Sequence, residues 1–170
     1  LLDSDGRLAI AAAAEVYRQV DPTVRYTPEV ADGARCTDRQ VVATVEGPAR
    51  ALLSGERVAL NLMQRMSGVA TQTASMIAAK GDAPAKLLDT RKTTPGLRAA
   101  EKYAVRVGGG HNHRFALFDG ILIKDNHIRA AGGITAAVRL CAEARHPLVK
   151  IEVEVESLDQ GLEALDAGAE

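Results

Sequence analysis

The order of apolar and polar residues in the first part of the chain predicts one helix followed by short strands. Residues 6–20 are interpreted as an amphipathic helix that stops at Asp21-Pro22, because apolar side chains recur there at helical spacing, namely Ile10, Ala13, Ala14 and Tyr17. Residues 24–26 and 40–45 are short β-rich runs, and the turn signal Asp32-Gly33 lies between them. We therefore expect this opening segment to be part of a small α+β unit.

A long helix is predicted after Gly47-Pro48, which we interpret as a domain boundary. Its apolar side chains, with one threonine, recur every three or four residues and form a stripe that is expected to face a core. This stripe consists of Val58, Leu62, Met66, Val69, Thr73 and Ile77. Gly81 is expected to end this helix. Arg57 lies near its start and is interpreted, on pattern alone, as a solvated cation, because charged side chains are common on surfaces.

From Ala85 onward the pattern alternates between strands and helices. Each predicted helix follows a short apolar strand, the strands being residues 86–88, 120–123 and 149–155 and the helices residues 97–107, 133–144 and 157–167. Ser157 and Gln160 form a capping-box pattern at the last helix. Repeated βα units predict a parallel sheet, and a barrel is favoured over a dinucleotide-binding fold. The predicted fold class is α/β, with a partial, truncated α/β barrel after the α+β segment.

The helix predicted at residues 97–107 has an apolar face and a basic face. Leu97, Ala100, Ala104 and Val107 are expected to be buried, whereas Arg98, Lys102 and Arg106 recur every four residues on the opposite side. We interpret these three cations as solvated and exclude them from any site. The run Gly108-Gly109-Gly110 is expected to stop the helix and to supply flexible backbone amides.

The composition is typical of a soluble globular protein, with 46% hydrophobic and 25% charged residues among 170. No apolar run approaches the roughly 20 residues that a bilayer span requires, and no signal-peptide pattern is present, so no membrane association is expected. The two cysteines, Cys36 and Cys141, have neither metal-ligand nor redox spacing, which favours a reducing, cytoplasmic location. Because the sequence starts without Met and ends within a repeating pattern, we expect it to be a piece of a longer protein.

Charge is distributed unevenly along the chain, although the net charge is only −1. Residues 91–127 contain seven Lys or Arg against three acids, whereas residues 1–56 carry six bases and nine acids, and residues 143–170 two bases and eight acids. Nucleic-acid binding is not favoured, because it requires a broad basic face with stacking aromatics, and aromatic residues are only 3% here. The basic middle instead predicts a pocket for a compact polyanion.

The basic residues of this segment follow the ends of predicted strands. Thr90, Arg91 and Lys92 come after the first strand, and Lys124-Asp125-Asn126 comes after the second. In a parallel barrel the carboxyl ends of the strands meet at one opening, so we expect these side chains to share one site. Ion pairs that merely tie loops together are the alternative interpretation.

The third predicted strand carries acids on every second residue, which is unusual for a strand buried on both faces. At least one of Glu152, Glu154 and Glu156 is therefore expected to meet a cation at the opening. Arginine binds carboxylate and phosphate through two parallel donors, and lysine acts as a movable point charge. A nearby carboxylate with Mg²⁺ is suited to a pyrophosphate group.

Several of these motifs resemble those of the quinolinate phosphoribosyltransferase family, the carboxylating nicotinate-nucleotide pyrophosphorylases. The resemblance is specific from Gly55 to His127 and rests on six segments, namely Gly55-Glu56-Arg57 with Asn61, Asp89–Arg98, Lys102-Tyr103, the triple glycine, Asn112-His113-Arg114 and Ile123–His127. It implies that residues 1–48 are part of an N-terminal α/β sandwich domain. It also implies that residues 49–170 are the first part of an incomplete seven-stranded α/β barrel. It also implies transfer of a phosphoribosyl group from phosphoribosyl pyrophosphate to quinolinate, with Mg²⁺ and loss of CO₂.

The resemblance further implies roles for individual residues. Arg91, His113 and Arg114 would hold the two pyridine carboxylates, with Thr90 beside them. Lys92 and Lys124 would bridge between quinolinate and the phosphoribosyl donor, and Glu154 would lie on the ribose and metal side. Arg57 would enter the pocket of a neighbouring subunit, so the family implies an obligate homodimer. The ribose-phosphate loops of the family would lie beyond Glu170, so this piece alone is expected to be inactive.

Other functions remain open from the sequence. A paralogue of the same fold could act on nicotinate or belong to the ModD-like proteins, although the intact Asn112-His113-Arg114 favours quinolinate. A Schiff-base enzyme using Lys124 is a second alternative, which its cationic surroundings disfavour. A non-catalytic anion-binding protein is the third.

Overall fold

The computed structural model describes residues 10–170, and the predicted start of the first helix at Gly6 lies outside this range. The chain divides into two compact units, Leu1–His113 and Arg114–Glu170. Within residues 10–170, no helix combines the length and apolarity needed to cross a bilayer. Both cysteines are free, with Cys36 buried and Cys141 half-buried.

The first unit opens with a helix and a two-stranded sheet. Helix α1 spans Ala11–Val20, strand β1 spans Arg25–Pro28 and strand β2 spans Ala43–Glu46. The strands pair antiparallel, with Arg25 opposite Glu46. Each strand begins or ends within a few residues of the predicted bounds, and α1 ends where Asp21-Pro22 was expected to stop it.

Helix α2 spans Ala49–Lys80 and packs against α1 through small residues. Ala13, Tyr17 and Ala59 form one buried cluster, and a Cβ on Gly55 would lie 2.9 Å from two ring carbons of Tyr17. The predicted stripe is wrong at Val58, which is 52% exposed. Close approach to α1 requires small side chains, so the buried face of this half of α2 follows Ala51, Gly55 and Ala59 instead.

Helix α3 spans Arg98–Val107 and packs against the second half of α2, with Met66, Ala70 and Ala104 in one buried cluster. The triple glycine ends α3 as predicted, but its amides are not free donors. The N–H groups of Gly108, Gly109 and Gly110 donate to carbonyl oxygens of α3, at 2.9–3.0 Å. The expectation of flexible amides is wrong because these N–H groups satisfy the last carbonyls of the helix.

The strand predicted at residues 86–88 is reduced to one parallel bridge between Leu88 and His111. His111 N donates to Leu87 O at 2.9 Å, and Asp89 N donates to His111 O at 3.1 Å. The two chain segments run parallel at this bridge, so the residues that follow Leu88 and those that follow His111 continue in the same direction.

The second unit is a parallel βα arrangement. Strand β3 spans Ile121–Ile123, helix α4 Asp125–Ala131, helix α5 Ile134–Ala144, strand β4 Ile151–Val153 and helix α6 Leu158–Asp166. The two strands pair in parallel, with Ile121 opposite Ile151, and the core contains Ile123, Val138, Ile151 and Ala164. Helix α4 was not predicted, whereas the bounds of α5 and α6 agree with the predicted ones within one residue. Ser157 Oγ accepts from Gln160 N, which confirms the Ser157 half of the predicted capping box, whereas the side chain of Gln160 accepts from Glu156 N instead of Ser157 N.

Candidate anion-binding site

The loop after Leu88 carries three of the candidate residues. Thr90 and Lys92 are exposed and Arg91 is half-buried. The backbone turns sharply here, because Lys92 N donates to Thr90 Oγ1 at 3.1 Å. Among the described residues, the charged groups of Arg91 and Lys92 form no ion pair, and Nε of Arg91 is buried without a hydrogen-bond partner. These two cations are therefore held close together on a fixed loop with their charge available to a ligand.

Lys102 anchors this loop from α3, and the prediction that it is solvated is wrong. Only 3% of the residue is exposed, and Nζ forms an ion pair with the buried carboxylate of Asp89. Nζ also donates to His113 O at 3.0 Å, while Asp89 accepts from His113 N at 2.9 Å and from Asn112 Nδ2 at 2.5 Å. The loop at Asp89 and the segment that carries His113 are thus joined through one buried ion pair.

Glu101 anchors the other end of the same loop. Its carboxylate accepts from Arg65 of α2 at 2.7 Å and from the backbone N of Thr94 at 3.2 Å, and Arg65 also donates to Thr94 Oγ1. Burial raises the pKa of Glu101, but the hydrogen bonds from Arg65 and Thr94 outweigh it, so the pKa lies below its usual 4.5. The carboxylate therefore stays charged and holds the loop at neutral pH.

The other two cations of the basic face differ from each other. Arg98 is half-buried and donates to Thr93 Oγ1 at 3.3 Å and to Arg91 O at 3.4 Å, so the expectation that it is solvated is wrong. Arg106 is exposed, as predicted, and lies 5.8 Å from the ring centroid of Tyr103. Arg98 near the start of α3 contacts the loop, whereas the side chain of Arg106 in the last turn is exposed.

Arg57 and His113 complete the candidate residues of the first unit. Arg57 projects from α2 with its side chain 77% exposed and only a 4.0 Å approach to Glu56, so it is a solvated cation within this chain. His113 is half-buried, and both its backbone N and its backbone O are engaged in the Asp89–Lys102 arrangement.

In the second unit, Lys124 and Glu154 meet at the ends of neighbouring strands. Nζ of Lys124 lies 2.6 Å from Oε1 of Glu154, with the two side chains 43% and 53% exposed. Glu154 N donates to Ile123 O at 2.9 Å, so the parallel register places Glu154 beside the residue that follows β3. At least one of the three glutamates meets a cation, as expected, because Glu154 pairs with Lys124. That the pair lies at a barrel opening stays a prediction.

The residues around Lys124 build the start of α4. His127 Nδ1 accepts from Lys124 N at 2.8 Å, and Asp125 lies 3.6 Å from Arg129 one turn later. This cap fixes the backbone of Lys124 and leaves its ammonium group directed by Glu154. An exposed ammonium paired with a carboxylate is not the apolar pocket that a Schiff-base lysine requires.

Arg114 belongs to a loop closed by its own hydrogen bonds. Asp119 accepts from Phe115 N at 2.6 Å and from Ala116 N at 2.8 Å, and Arg114 Nη1 donates to Gly120 O at 2.9 Å. One guanidinium nitrogen is therefore used to hold Arg114 against the start of β3. The remaining donors of the fork can bind an anion.

The candidate residues fall into two groups, one in each unit. Thr90, Arg91, Lys92 and His113 are linked by the contacts of the first unit, and Lys124 with Glu154 and Arg114 belong to the second. That both groups face one opening stays a prediction. Within residues 10–170, no three His, Cys, Asp or Glu side chains are grouped as metal ligands would be.

Sequence reasoning missed the residues that hold the loops, namely Arg65, Asp89, Glu101 and Lys102. One signal was available, because Asp89 lies two residues before the cationic pair Arg91-Lys92 and follows a predicted apolar strand. An acid at such a position needs a buried partner. Nothing in the spacing identifies Lys102 as that partner.

Fold and site together define an α/β protein that carries cationic side chains on the loops after its strands. Family models for quinolinate phosphoribosyl transferase match residues 4–67 with the N-terminal domain and residues 69–170 with the C-terminal domain. A Bacillus subtilis protein named "Probable nicotinate-nucleotide pyrophosphorylase [carboxylating]" is 51% identical over 168 residues, which is 98% of this chain and 58% of that protein. The chain therefore belongs to the quinolinate phosphoribosyl transferase family, as the sequence motifs predicted.

Solved structures of relatives agree with this assignment. The crystal structure of NadC from Streptococcus pyogenes is 46% identical and matches with a TM-score of 0.90 over 99% of this chain and 60% of that one. The nicotinate-nucleotide pyrophosphorylase from Francisella tularensis is 41% identical, with a TM-score of 0.92 over 98% of this chain and 60% of that one. The predicted α/β class is confirmed, and the chain spans about six-tenths of these relatives.

Proposed function

We propose that the full-length protein that contains this chain transfers the phosphoribosyl group of phosphoribosyl pyrophosphate to quinolinate. The products are nicotinate mononucleotide, pyrophosphate and CO₂, a step of de novo NAD biosynthesis. Family membership supports this proposal, because relatives that match nearly the whole chain are named as carboxylating nicotinate-nucleotide pyrophosphorylases. The observation that carries it is the fixed loop on which Arg91 and Lys92 form no ion pair among the described residues.

Quinolinate has two neighbouring carboxylates on a planar ring, and the proposed binding residues suit that shape. Arg91 and Arg114 each offer a planar fork of donors, and Thr90 and His113 add further hydrogen-bonding groups. A guanidinium on a fixed loop loses little conformational freedom when it binds, because the backbone contacts already exist in the free protein. We assign the recognition of the two carboxylates to these four residues.

Lys92, Lys124 and Glu154 are proposed to act during the reaction itself. The bond between C1 of the ribose and the pyrophosphate oxygen breaks, leaving an oxocarbenium-like sugar, and the ring nitrogen of quinolinate forms the new bond to C1. Cations beside the leaving group stabilise the negative charge that develops there, and we assign this role to Lys92 and Lys124. Glu154 orients Lys124 through their ion pair and lies on the ribose side.

Decarboxylation follows from the charge created on the ring. The attached sugar makes the pyridine a pyridinium, which accepts the electron pair left when the carboxylate beside the nitrogen departs as CO₂. A proton from solvent then replaces the lost group. No covalent bond to the protein is required, so positioning and charge complementarity supply the rate.

Magnesium is proposed to enter with phosphoribosyl pyrophosphate. Mg²⁺ commonly binds one or two carboxylates together with substrate phosphates, rather than a cage made by the protein. Glu154 is the described carboxylate that we assign to the metal side, in an indirect role. When bound, the ion would neutralise charge on the pyrophosphate.

We also propose that the protein is a cytoplasmic homodimer, or a larger assembly of such dimers. In each dimer, Arg57 of one subunit enters the site of its partner. The solvated side chain of Arg57 on α2 supports this, because it is free to meet another chain. Free cysteines are compatible with a reducing compartment.

Quinolinate labelled in the carboxylate beside the ring nitrogen tests the reaction directly. We expect the full-length protein to release labelled CO₂ only when phosphoribosyl pyrophosphate and Mg²⁺ are both supplied. Nicotinate provides the comparison substrate, because it lacks the carboxylate that is lost. Turnover of nicotinate at a rate comparable to that of quinolinate would contradict the decarboxylating assignment and favour the nicotinate-using paralogue.

A further inference from the structure

Two adjacent residues of α3, Glu101 and Lys102, are both charged and both buried. Neighbouring positions on the same helix, Ala100 and Ala104, are small and apolar. Buried charges on a short helix require partners. Lys102 binds Asp89 and His113 on the two loops. Glu101 is bound both by Arg65 of α2 and by Thr94 on the loop of Arg91.

The contacts of Lys102 join two loops through backbone and carboxylate groups. Its ammonium binds the carboxylate of Asp89 and the carbonyl of His113, and the same carboxylate accepts the amide N–H of His113. Asn112 closes the arrangement by donating both to Asp89 and to Lys102 O, at 2.5 and 2.8 Å. Each charged group is thus satisfied, and each bond restrains one loop relative to the other.

A contribution to folding stability does not by itself explain why Lys102 and Asp89 form a buried ion pair between the two loops. Buried ion pairs contribute little net stability, since desolvation offsets their attraction, and apolar residues of similar volume are often as good. An apolar pair could fill the same space but could not bind the N–H and the carbonyl of His113. The property specific to this pair is the fixed placement of the two loops.

We propose that Lys102 and Asp89 are positioning residues for the anionic substrate. They hold the loop of Arg91 and the segment of His113 in register, and thereby set the affinity for the pyridine dicarboxylate without contacting it. The identity of that ligand rests on the proposed function, whereas the restraint of the loops does not. Glu101 serves the far end of the same loop through Thr94.

Substitution Lys102→Met removes the ammonium while keeping the length of the side chain. In the full-length protein we expect the KM for quinolinate to rise at least tenfold, with the KM for phosphoribosyl pyrophosphate changed less than threefold. Lys86→Met is the matched control, because Lys86 is an exposed lysine just before the same loop. The control should change neither constant.

A double variant separates positioning from folding. Lys102→Met alone leaves the Asp89 carboxylate buried without its cation, which can prevent folding. Asp89→Asn combined with Lys102→Met removes both charges, and its amide oxygen can still accept from His113 N. We expect this protein to unfold at nearly the wild-type temperature while quinolinate binding stays at least tenfold weaker. Binding within twofold of wild type would overturn the proposal.

Amide hydrogen exchange gives a readout that needs no substrate. In the double variant, the backbone amides at positions 89 and 113 should exchange at least tenfold faster than in the wild-type protein, while those in the middle of α2 keep their protection. If the wild-type protein fails to bind quinolinate, the proposed function fails, and exchange still decides the restraint. Unchanged exchange at both loop amides would refute the positioning role even in a protein that binds quinolinate normally.

Discussion

At the scale of single residues, the side chains that hold the loop of Arg91 are different from the guanidinium that we propose binds the ligand. Lys102, Glu101 and Arg98 restrain the loop through its backbone and short side chains, and Arg91 keeps its fork of donors. Because other residues hold the loop, Arg91 and Lys92 can lie next to each other on it without an ion pair for each of them.

Arg91→Ala should therefore weaken quinolinate binding with little effect on folding. A hydrogen bond to a charged group contributes about 1.5–3 kcal/mol, so we expect the dissociation constant to rise at least about tenfold. Isothermal titration of the full-length protein measures it. Arg106→Ala is the control, because this exposed arginine belongs to the same basic segment. Unchanged affinity in Arg91→Ala would favour a function other than quinolinate binding.

Glu101→Gln should destabilise the protein most at neutral pH. The folded-state pKa of Glu101 is lowered, so its contribution to stability is present above the unfolded value of 4.5 and is lost as the pH falls through the folded value. We expect a cost of about 1–3 kcal/mol at pH 7, since the charged hydrogen bonds to Arg65 and Thr94 are weakened. Denaturant unfolding at pH 7 and at about pH 3 measures the difference.

The comparison variant for this pH dependence is Glu143→Gln, an exposed glutamate on α5. Its effect on the free energy of unfolding should be small at both pH values. A cost in Glu101→Gln that is equally large at low pH would show that the carboxylate charge is not what holds Thr94.

The sequence identified the Lys124–Glu154 pair better than the Asp89–Lys102 pair, and the reason is physical. Acids on alternate positions of a predicted buried strand indicate that at least one of them meets a cation, and this inference needs no tertiary information. The choice of Glu154 depends on the parallel register, which places it beside the residue after Ile123. Lys102 was misassigned because spacing by four defines a helix face but not what covers that face.

At the scale of elements, α1 and α2 approach each other closely at Gly55. A Cβ added there would lie 2.9 Å from the ring of Tyr17, which is too close without movement of the aromatic side chain. Gly55→Ala should therefore lower the free energy of unfolding by about 1–3 kcal/mol, the usual cost of overpacking. Thermal or denaturant unfolding measures the loss.

Gly68→Ala is the matched control, since Gly68 lies in the same helix and nothing surrounds its Cβ position within 4 Å. Alanine is a better helix former than glycine, so this variant should gain about 0.5–1 kcal/mol. The two substitutions are chemically identical and are expected to act in opposite directions. Equal effects would mean that contact with Tyr17 does not determine the packing of α1 on α2.

Long periodic elements were predictable from the sequence, and short ones were not. Helix α2 has 32 residues over which its periodicity can be recognised, whereas α4 has only seven and begins one residue after β3 ends. The stripe on α2 was wrong at Val58 for a related reason. The hydrophobic pattern predicted that the larger side chain of Val58 is buried, but the close packing of the two helices buries the small residues Gly55 and Ala59 instead.

At the scale of the whole molecule, the family was predicted from motifs between Gly55 and His127, and the fold class from the alternation of strands and helices. The contacts of individual side chains could not be predicted in this way, because strand register and helix packing depend on contacts between segments that are distant in the sequence. The boundary predicted after residue 48 coincides with the start of α2, and the two family models meet within that helix. That boundary stays a prediction.

The proposed dimer makes a distinctive prediction for mixed subunits of the full-length protein. If Arg57 acts in the partner's site, Arg57→Ala and Arg91→Ala should each abolish most activity, yet their mixed dimers should contain one intact site. In that site, the subunit lacking Arg57 supplies Arg91, and its partner supplies the missing Arg57. Half of randomly mixed dimers are heterodimers with one intact site of two, so about a quarter of wild-type activity should return.

Co-expression of the two variants with different affinity tags, followed by purification through both tags, isolates the heterodimers. Because one of their two sites is intact, these should have about half of wild-type activity. Each variant co-expressed with a tagged copy of itself is the control and should stay inactive. Mixed dimers without activity would show that Arg57 acts within its own subunit, because then each site would lack one of the two arginines. Since Arg57 is solvated within this chain, its burial in a dimer would also make its exposure to arginine-modifying reagents fall on assembly.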